Sequence, residues 1–411
     1  MLDQSVSEKA IKLLGINTWK KFQPDTEYSN FVADTYEQIE GKLTDDEYQF
    51  SCFSKKSFKG KDGWAFASAA DELVAKKLND NIRRLFKVRP SDRHAIVKQT
   101  IALAKDSQPV TIARLDIKDF YESLDRTSIV KFITEEWLLS HQNRMVLKQW
   151  DTQLASQGIQ GLPRGMSLSS TLSEIRIRHF DKQMKLDGKV YFYARYVDDI
   201  IAFYSGDQAQ LESMMKERLK ASAKELTLNT DKSFYTVLND PTNGSSADID
   251  YLGYKLRIQN YSCKPRVERK VQVFISNKKV NKVKERVRKA FRAYSKDRRY
   301  NLLLARLKFL SANQYIIGDI ERTKLKSGIY YNYPLINDHS QLKELDAFYQ
   351  KFINSSKEPA NSAMQLIKNH GGATNNVRLK QIEAISFQFG FKNRMMNSFT
   401  NDLNKKIKRC W

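Results

Sequence analysis

The sequence predicts an α+β fold divided into several subdomains, and three observations point there. The chain has 411 residues, more than one hydrophobic core ordinarily serves, so two or three subdomains are expected. Segments with helical periodicity are interrupted by short apolar strands that gather between residues 110 and 258. A hydrophobic share of 41% with 11% aromatic residues supplies cores and excludes a disordered chain.

The elements follow in order. Residues 1–80 read as mostly helical and polar, with a loop around "KGKDGWAF". Basic residues then alternate with short apolar runs, and Pro90 and Pro109 mark turns. "VTIARLDI" (110–117) reads as a buried strand, and "DFYESLDRTSIVKFITEEWLLS" switches to helical spacing. A Gly/Pro loop at "GIQGLPRG" feeds a helix that stops near Asp187 and Gly188. Strands at 190–197 and 200–204 flank two aspartates, an amphipathic helix follows from 208, and short strands are expected near 234–238 and 251–258. From Lys264 to Lys308 there are 17 basic and 3 acidic residues in a helical pattern, and the tail to Trp411 reads as helical and polar, with a loop at "NHGGATNN".

Charge narrows the partners. The net charge is +23, which weakens a compact state by self-repulsion unless a polyanion offsets it. Nucleic acid is the leading partner, an anionic membrane surface the alternative. No apolar stretch approaches the roughly 20 residues that span a bilayer, and the N-terminus lacks a signal-peptide pattern. Cys52, Cys263 and Cys410 are scattered, which argues against a disulfide framework or a zinc site and for a reducing, cytoplasmic setting.

The chemistry centres on "YARYVDDIIAFY" (193–204), where Asp198 and Asp199 interrupt an apolar hairpin. Burying adjacent carboxylates is costly. If the strand ending at Asp116 lies beside this hairpin, three acids converge, and divalent cations would neutralise them. Mg²⁺ prefers such oxygens, and two ions can clamp the attacking and leaving oxygens of a phosphoryl displacement. An Asp-Asp pair alone is also common in turns, and an Asp ending a strand is often only a helix cap. Neighbouring segments decide between these readings: "LDIKDFYESL" (115–124), "GLPRGMSLSS" (161–170), "LNTDKSF" (228–234) and "YLGY" (251–254).

In this order and spacing the segments resemble the palm of reverse transcriptases over roughly residues 80–260. The resemblance implies a right-hand polymerase fold. Residues 1–109 would form an N-terminal helical region and fingers, and 110–260 the palm, with fingers-side helices within about 125–160. A basic helical thumb would follow at 261–330 and a helical C-terminal region at 331–411. It implies RNA-directed DNA polymerase activity, with two Mg²⁺ ions (Mn²⁺ as a substitute) held by Asp116, Asp198, the Ile117 carbonyl and, less directly, Asp199. Tyr121 would be the gate against a ribose 2′-hydroxyl, with packing at a strand–helix junction as its alternative role. Lys232 would protonate the leaving pyrophosphate. Lys87, Arg89 and Arg93 would grip the incoming triphosphate, or form no more than a solvated basic loop. Tyr251, Leu252, Gly253 and Tyr254 would hold the primer end. Arg164 and Gly165 belong to the Leu-Pro-x-Gly loop, where many relatives have Gln in place of Arg164; a charged donor there bears on template handling.

The loop around Arg164 and "KLKSGIYYNYPLI" (324–336) are similar to bacterial abortive-infection and defence-associated reverse transcriptases, most of all to the first reverse transcriptase of the type 3 systems. That likeness implies a structured non-coding RNA as template, a DNA product made from dNTPs, and a second reverse transcriptase subunit or self-association. A retron or other group II-like enzyme is the alternative, though the Val-Thr-Gly and Asn-Ala-x-x-His strings of retrons are missing. A catalytically silent RNA-binding scaffold and an RNA-dependent RNA polymerase are further readings. Lys278, Lys279, Lys282, Lys284, Arg286, Arg288, Lys289 and Arg292 suit phosphate contacts. The interleaved Tyr294 and Tyr300 could stack on unpaired bases, while Phe291 suits a core position better.

Overall fold

The computed structural model describes residues 2–44, 47–58, 60–238, 246–259, 268–317, 324–369 and 373–411. Cys263, the expected boundary at 260–261 and the centre of the "NHGGATNN" loop lie outside them. The chain packs as two compact units. One spans 1–93 and 108–239 and the other 94–107, 240–318 and 322–411, in each case over the described residues.

The first unit begins with α1 (Glu8–Leu14), α2 (Ile16–Phe22) and α3 (Tyr28–Lys42), then the short strands β1 (Leu43–Thr44) and β2 (Glu47–Tyr48). "KGKDGWAF", expected as a loop, instead supplies one arm of an antiparallel hairpin, β3 (Ser54–Phe58) and β4 (Lys61–Ala65). The signal was hidden because the strands are mostly Lys, Ser, Gly and Asp and are largely exposed. Long α4 (Ala69–Leu85) is capped by the Ser68 side chain and buries Leu73, Val74, Leu78 and Ile82 at helical spacing. Helix α5 (Arg93–Ala104) belongs, from His94 on, to the second unit.

The centre of the first unit is a four-stranded antiparallel sheet. Its strands are β5 (Val110–Asp116), β6 (Val190–Tyr196), β7 (Asp199–Tyr204) and β8 (Phe234–Leu238), in the order β6-β7-β5-β8. Central strands are buried on both faces and read as unbroken apolar runs, which is why β5 and β7 look alike in sequence. Ile200, Ala202 and Tyr204 join Ala113 and Leu115 in the main core, while Ile201, Phe203 and Ile112, also buried, point the other way. Between β5 and β6 run α6 (Phe120–Ser123), α7 (Arg126–Glu135), α8 (His141–Ser156) and α9 (Ser167–Lys185); α10 (Gln208–Ser222) links β7 to β8.

The second unit holds β9 (Ser246–Tyr251), β10 (Tyr254–Gln259) and β11 (Lys270–Ile275) as an antiparallel sheet in the order β11-β10-β9. The strand expected at 251–258 is thus broken by a turn, and β11 replaces the first part of the expected basic helical stretch. The helices α11 (Asn277–Asp297) and α12 (Tyr300–Ser311) follow. The tail also departs from an all-helical reading. β12 (Asn313–Ile317) pairs with β13 (Lys324–Gly328) and with β14 (Met396–Asn397) around α13 (Ser340–Ile353), α14 (Ala360–Lys368), α15 (Ala373–Glu383) and α16 (Phe387–Lys392), and α17 (Asn401–Lys408) ends the chain. Lys-rich β13 pairs with β12 alone in its sheet, and Lys-bearing edge strands of this kind carry little apolar alternation to read.

Candidate active site

Asp116 ends β5 and is 6% exposed. Register places it opposite Asp199, the first residue of β7, and Ile117 N–H donates to the Asp198 carbonyl at 3.1 Å. The three acids expected to converge therefore meet at one end of the central strands. Tyr196 pairs with Asp199, leaving a two-residue turn, Val197-Asp198. Val197 has φ 61°, the left-handed region that a β-branched residue rarely enters. Arg195, buried on β6, restrains it. Its guanidinium donates to the Val197 carbonyl at 2.8 Å and to Glu174 and Asp181 of α9 at 2.6 and 2.7 Å. One fork thus fixes both the hairpin tip and the helix beneath it.

The carboxylates have different partners. Asp116 Oδ2 lies 3.2 Å from Lys232 Nζ and 3.3 Å from Asn229 Nδ2, and Asn229 N–H donates to the Asp116 carbonyl at 2.7 Å. Asp199 is paired with Arg114 at 2.6 Å. Among the described residues no cation pairs directly with Asp198. Burial, together with the Asp116 charge, raises the Asp198 pKa. Burial also raises that of Asp199, with the charges of Asp198 and Asp116 adding to the shift and Arg114 opposing it.

Asp116 and Asp198 thus bring two hard oxygen donors to one end of the central strands, close enough for the Asp116 charge to act on Asp198, and such donors fit a divalent cation. The third carboxylate is occupied by Arg114, and among the described residues no group of three His, Cys, Asp or Glu side chains is set to hold a metal. The structure thus offers a pair of acids rather than a ready cage of three.

The loop before α9 is built against this edge. Gly161 has φ 60°, and a Cβ there would stand 2.4 Å from the Glu122 carbonyl oxygen; only glycine fits. Leu162 N–H donates to the Tyr121 carbonyl at 2.8 Å. The Arg164 guanidinium forks onto Glu122, with one contact at 2.8 Å, and lies 5.4 Å from the Tyr121 ring centroid. The Arg164 side chain is thus committed to closing the loop on α6. Its backbone is held too, since Trp64 N–H of β4 donates to the Arg164 carbonyl at 2.8 Å. Gly165, at φ 94°, turns the chain into α9. Tyr121 is half-buried; burial raises its hydroxyl pKa, while hydrogen bonds with Ser170 and Ser173 act against that shift.

The other expected residues sit on different elements. Lys87 and Arg89 are exposed on the turn after α4, Lys87 at φ 52°, and Arg93 begins α5. Tyr251 and Tyr254, both in the second unit, are buried and paired across the turn Leu252-Gly253, whose φ values are 47° and 83°. The basic helix α11 is not uniformly free for phosphate. Lys284 pairs with Glu344 at 2.5 Å, Arg288 lies 3.4 Å from Glu285, and both pack over Phe348. Lys278, Lys279, Lys282 and Arg292 are exposed, and Lys289 and Arg286 are half-buried. Tyr294 and Tyr300 are 3% and 7% exposed, so they pack in the core with Phe291 and do not stack on bases. The sequence reading missed Arg114, Arg195 and Asn229. Arg195 and Arg114 each carried a signal, a lone Arg inside an apolar strand, where a charge is rarely buried without partners.

No curated protein matches the chain. Among solved structures it resembles the apo telomerase from Candida tropicalis truncated from its C-terminal domain, at 14% identity and TM-score 0.33. The match covers 51% of this chain and 45% of that one, so the chain spans less than half of that telomerase. Residues 67–256 match the family model described as reverse transcriptase (RNA-dependent DNA polymerase), a range that takes in Asp116, Asp198, Asp199, Lys232 and the Gly161 loop. The chain therefore contains a reverse transcriptase domain, the enzyme module of an RNA-directed DNA polymerase, over residues 67–256.

Proposed function

We propose that the protein is a working RNA-directed DNA polymerase that extends a primer with deoxynucleotides. The observation that carries this reading is the register that brings Asp116 beside Asp199 and the Asp198 turn. A scaffold gains nothing from crowding buried acids at one end of its central strands. Asp116 and Asp198 would hold divalent ions, Mg²⁺ or Mn²⁺, with the Ile117 carbonyl as a further oxygen. When bound there, such ions would supply Lewis acidity toward a 3′-hydroxyl and offset charge on an α-phosphate. The 3′-oxygen would bond to the α-phosphorus as its proton passes to solvent water, the bond from the α-phosphorus to pyrophosphate would break, and Lys232, 3.2 Å from Asp116, would donate a proton to the departing pyrophosphate. Asp199 and Arg114 set the electrostatics behind the pair. Tyr121 gates the sugar, Lys87, Arg89 and Arg93 take the triphosphate, and Tyr251 to Tyr254 hold the primer end.

The template we propose is a structured non-coding RNA. The setting is bacterial antiphage defence, with a second reverse transcriptase subunit as partner, on the strength of the Arg164 loop and the 324–336 string. The protein purified with its co-expressed RNA should make DNA from dNTPs and Mg²⁺. Asp116→Ala with Asp198→Ala should lower the rate about a thousandfold, since several kcal/mol of transition-state stabilisation are lost. DNA synthesis that survives this change would refute the assignment, and tight RNA binding with no synthesis under any metal would favour the scaffold. Sequencing the bound RNA identifies the template.

A further inference from the structure

Lys232 is held at its backbone and loose at its side chain. Arg114 of β5 donates to the Lys232 carbonyl at 2.5 Å, with its other arm on Asp199 at 2.6 Å. Lys232 N–H donates to the Asn229 carbonyl at 3.3 Å, and Asn229 N–H to the Asp116 carbonyl at 2.7 Å. On the other side of Leu228, which bridges to Ile117, Lys118 N–H donates to the Thr227 carbonyl at 2.9 Å. These bonds sew the connection between α10 and β8 to the end of β5, so the Lys232 Cα is fixed. Its side chain is 60% exposed and meets Asp116 Oδ2 at 3.2 Å. An ion pair with one arm in water is worth little, because the freed ammonium is solvated again. Asp116 is buried at a strand end, so the lysine is the partner that can move.

That ammonium stands on one of the two acids that suit a divalent ion. A carboxylate oxygen paired with one cation is a poorer donor to a second, and two cations brought together repel. Asn229 Nδ2 approaches the same oxygen at 3.3 Å. It is a neutral donor, which keeps the carboxylate oriented without competing for its charge.

We infer that Lys232 is the resident counter-cation of Asp116 and yields that place when a divalent ion binds, swinging its ammonium outward about a fixed backbone. The inference rests on the polymerase reading, which makes Asp116 a metal donor and Lys232 the proton donor. It adds an order of events. Lys232 is engaged by Asp116 until the acids carry their ion, and only then is it released toward the leaving pyrophosphate. One cation replaces another, and no covalent bond is made or broken.

Two readouts on the full chain test this without DNA synthesis. Mn²⁺ binding is followed by the electron paramagnetic resonance of the free ion. Lysine reactivity toward acetic anhydride is followed by mass spectrometry, with and without Mg²⁺. Lys232→Met keeps the stem and removes the charge at an exposed position. It should bind Mn²⁺ about tenfold tighter than wild type, the effect of one adjacent charge. Lys232→Arg keeps the charge and should bind Mn²⁺ as wild type does. In wild type, Mg²⁺ should raise the acetylation of Lys232 severalfold. Lys216, 57% exposed and paired at 2.6 Å with Glu212, should not respond, because Glu212 is no metal donor. Asp116→Ala should leave Lys232 reactive with or without Mg²⁺. The inference is overturned if Lys232→Met binds Mn²⁺ no tighter than wild type, if Lys232→Arg tightens binding as much, or if bound Mg²⁺ leaves Lys232 unreactive. It also falls if Mn²⁺ binds neither wild type nor Lys232→Met, and the metal reading falls with it. Failure of the polymerase reading alone is distinct: the ion binds and Lys232 is released, yet no DNA is made. The exchange then stands, and only its link to proton transfer is lost.

Discussion

At Asp198 the proposed metal-binding role and stability pull in opposite directions. Its pKa is raised in the folded protein because of burial and the Asp116 charge, so the folded state keeps that proton to higher pH than the unfolded chain does. Between the ordinary value of 3.8 and the raised one, the folded state binds more protons, and stability falls as pH rises through that window. Metal-free Asp198→Asn should therefore melt at a higher temperature than wild type at neutral pH while making no DNA, and melting curves across pH should show the wild-type slope lost. A lower melting temperature at neutral pH would contradict this. Tyr121 makes a second residue-scale prediction. It packs between Phe120 and the Arg164 guanidinium, so Tyr121→Ala opens space at the proposed sugar gate. The ratio of ribonucleotide to deoxynucleotide incorporation should rise by about tenfold or more, within what shape discrimination supplies. An unchanged ratio would mean that the ring serves packing alone.

Among elements, the Gly161 loop shows how much of the site was legible in the sequence. The order of strand, loop and acid hairpin could be read because β5, α9 and β7 bury regular apolar patterns. What the loop does with Arg164 could not, since its partner Glu122 lies on α6 across a long separation in sequence, and only folding brings them together. The same holds for Arg195 with Glu174 and Asp181. Polar strands such as β3, β4 and β13 were missed because their outward Lys and Ser residues erase the two-residue alternation that marks a strand. Gly161→Ala tests the loop. A left-handed non-glycine residue costs about 1–2 kcal/mol, and the clash with the Glu122 carbonyl adds to it. Thermal melting should show destabilisation of at least about 2 kcal/mol, together with reduced DNA synthesis; a neutral result would show that the loop need not dock on α6.

On the scale of the whole molecule, the net charge of +23 is the dominant long-range feature. Among the described residues no helix is long and apolar enough to cross a membrane. Single-stranded RNA binding should weaken as salt rises, with a log–log slope of about −0.7 per neutralised phosphate. Lys278→Glu and Arg292→Glu, both exposed on α11, should each make the slope shallower by about that amount. Filter binding across a salt series measures this, and a slope indifferent to both changes would place the RNA elsewhere on the chain.

The two-residue turn at Val197-Asp198 limits what length variation the chain can accept. Side chains along β7 alternate between two buried faces, so one residue added to this turn would rotate Ile200 through Tyr204 by half a period and send Asp199 to the opposite face. A deletion would do the same. Insertions and deletions should thus be tolerated in surface connections elsewhere on the chain and rejected at this hairpin, so that a library of random length variants selected for folded protein should keep its spacing fixed.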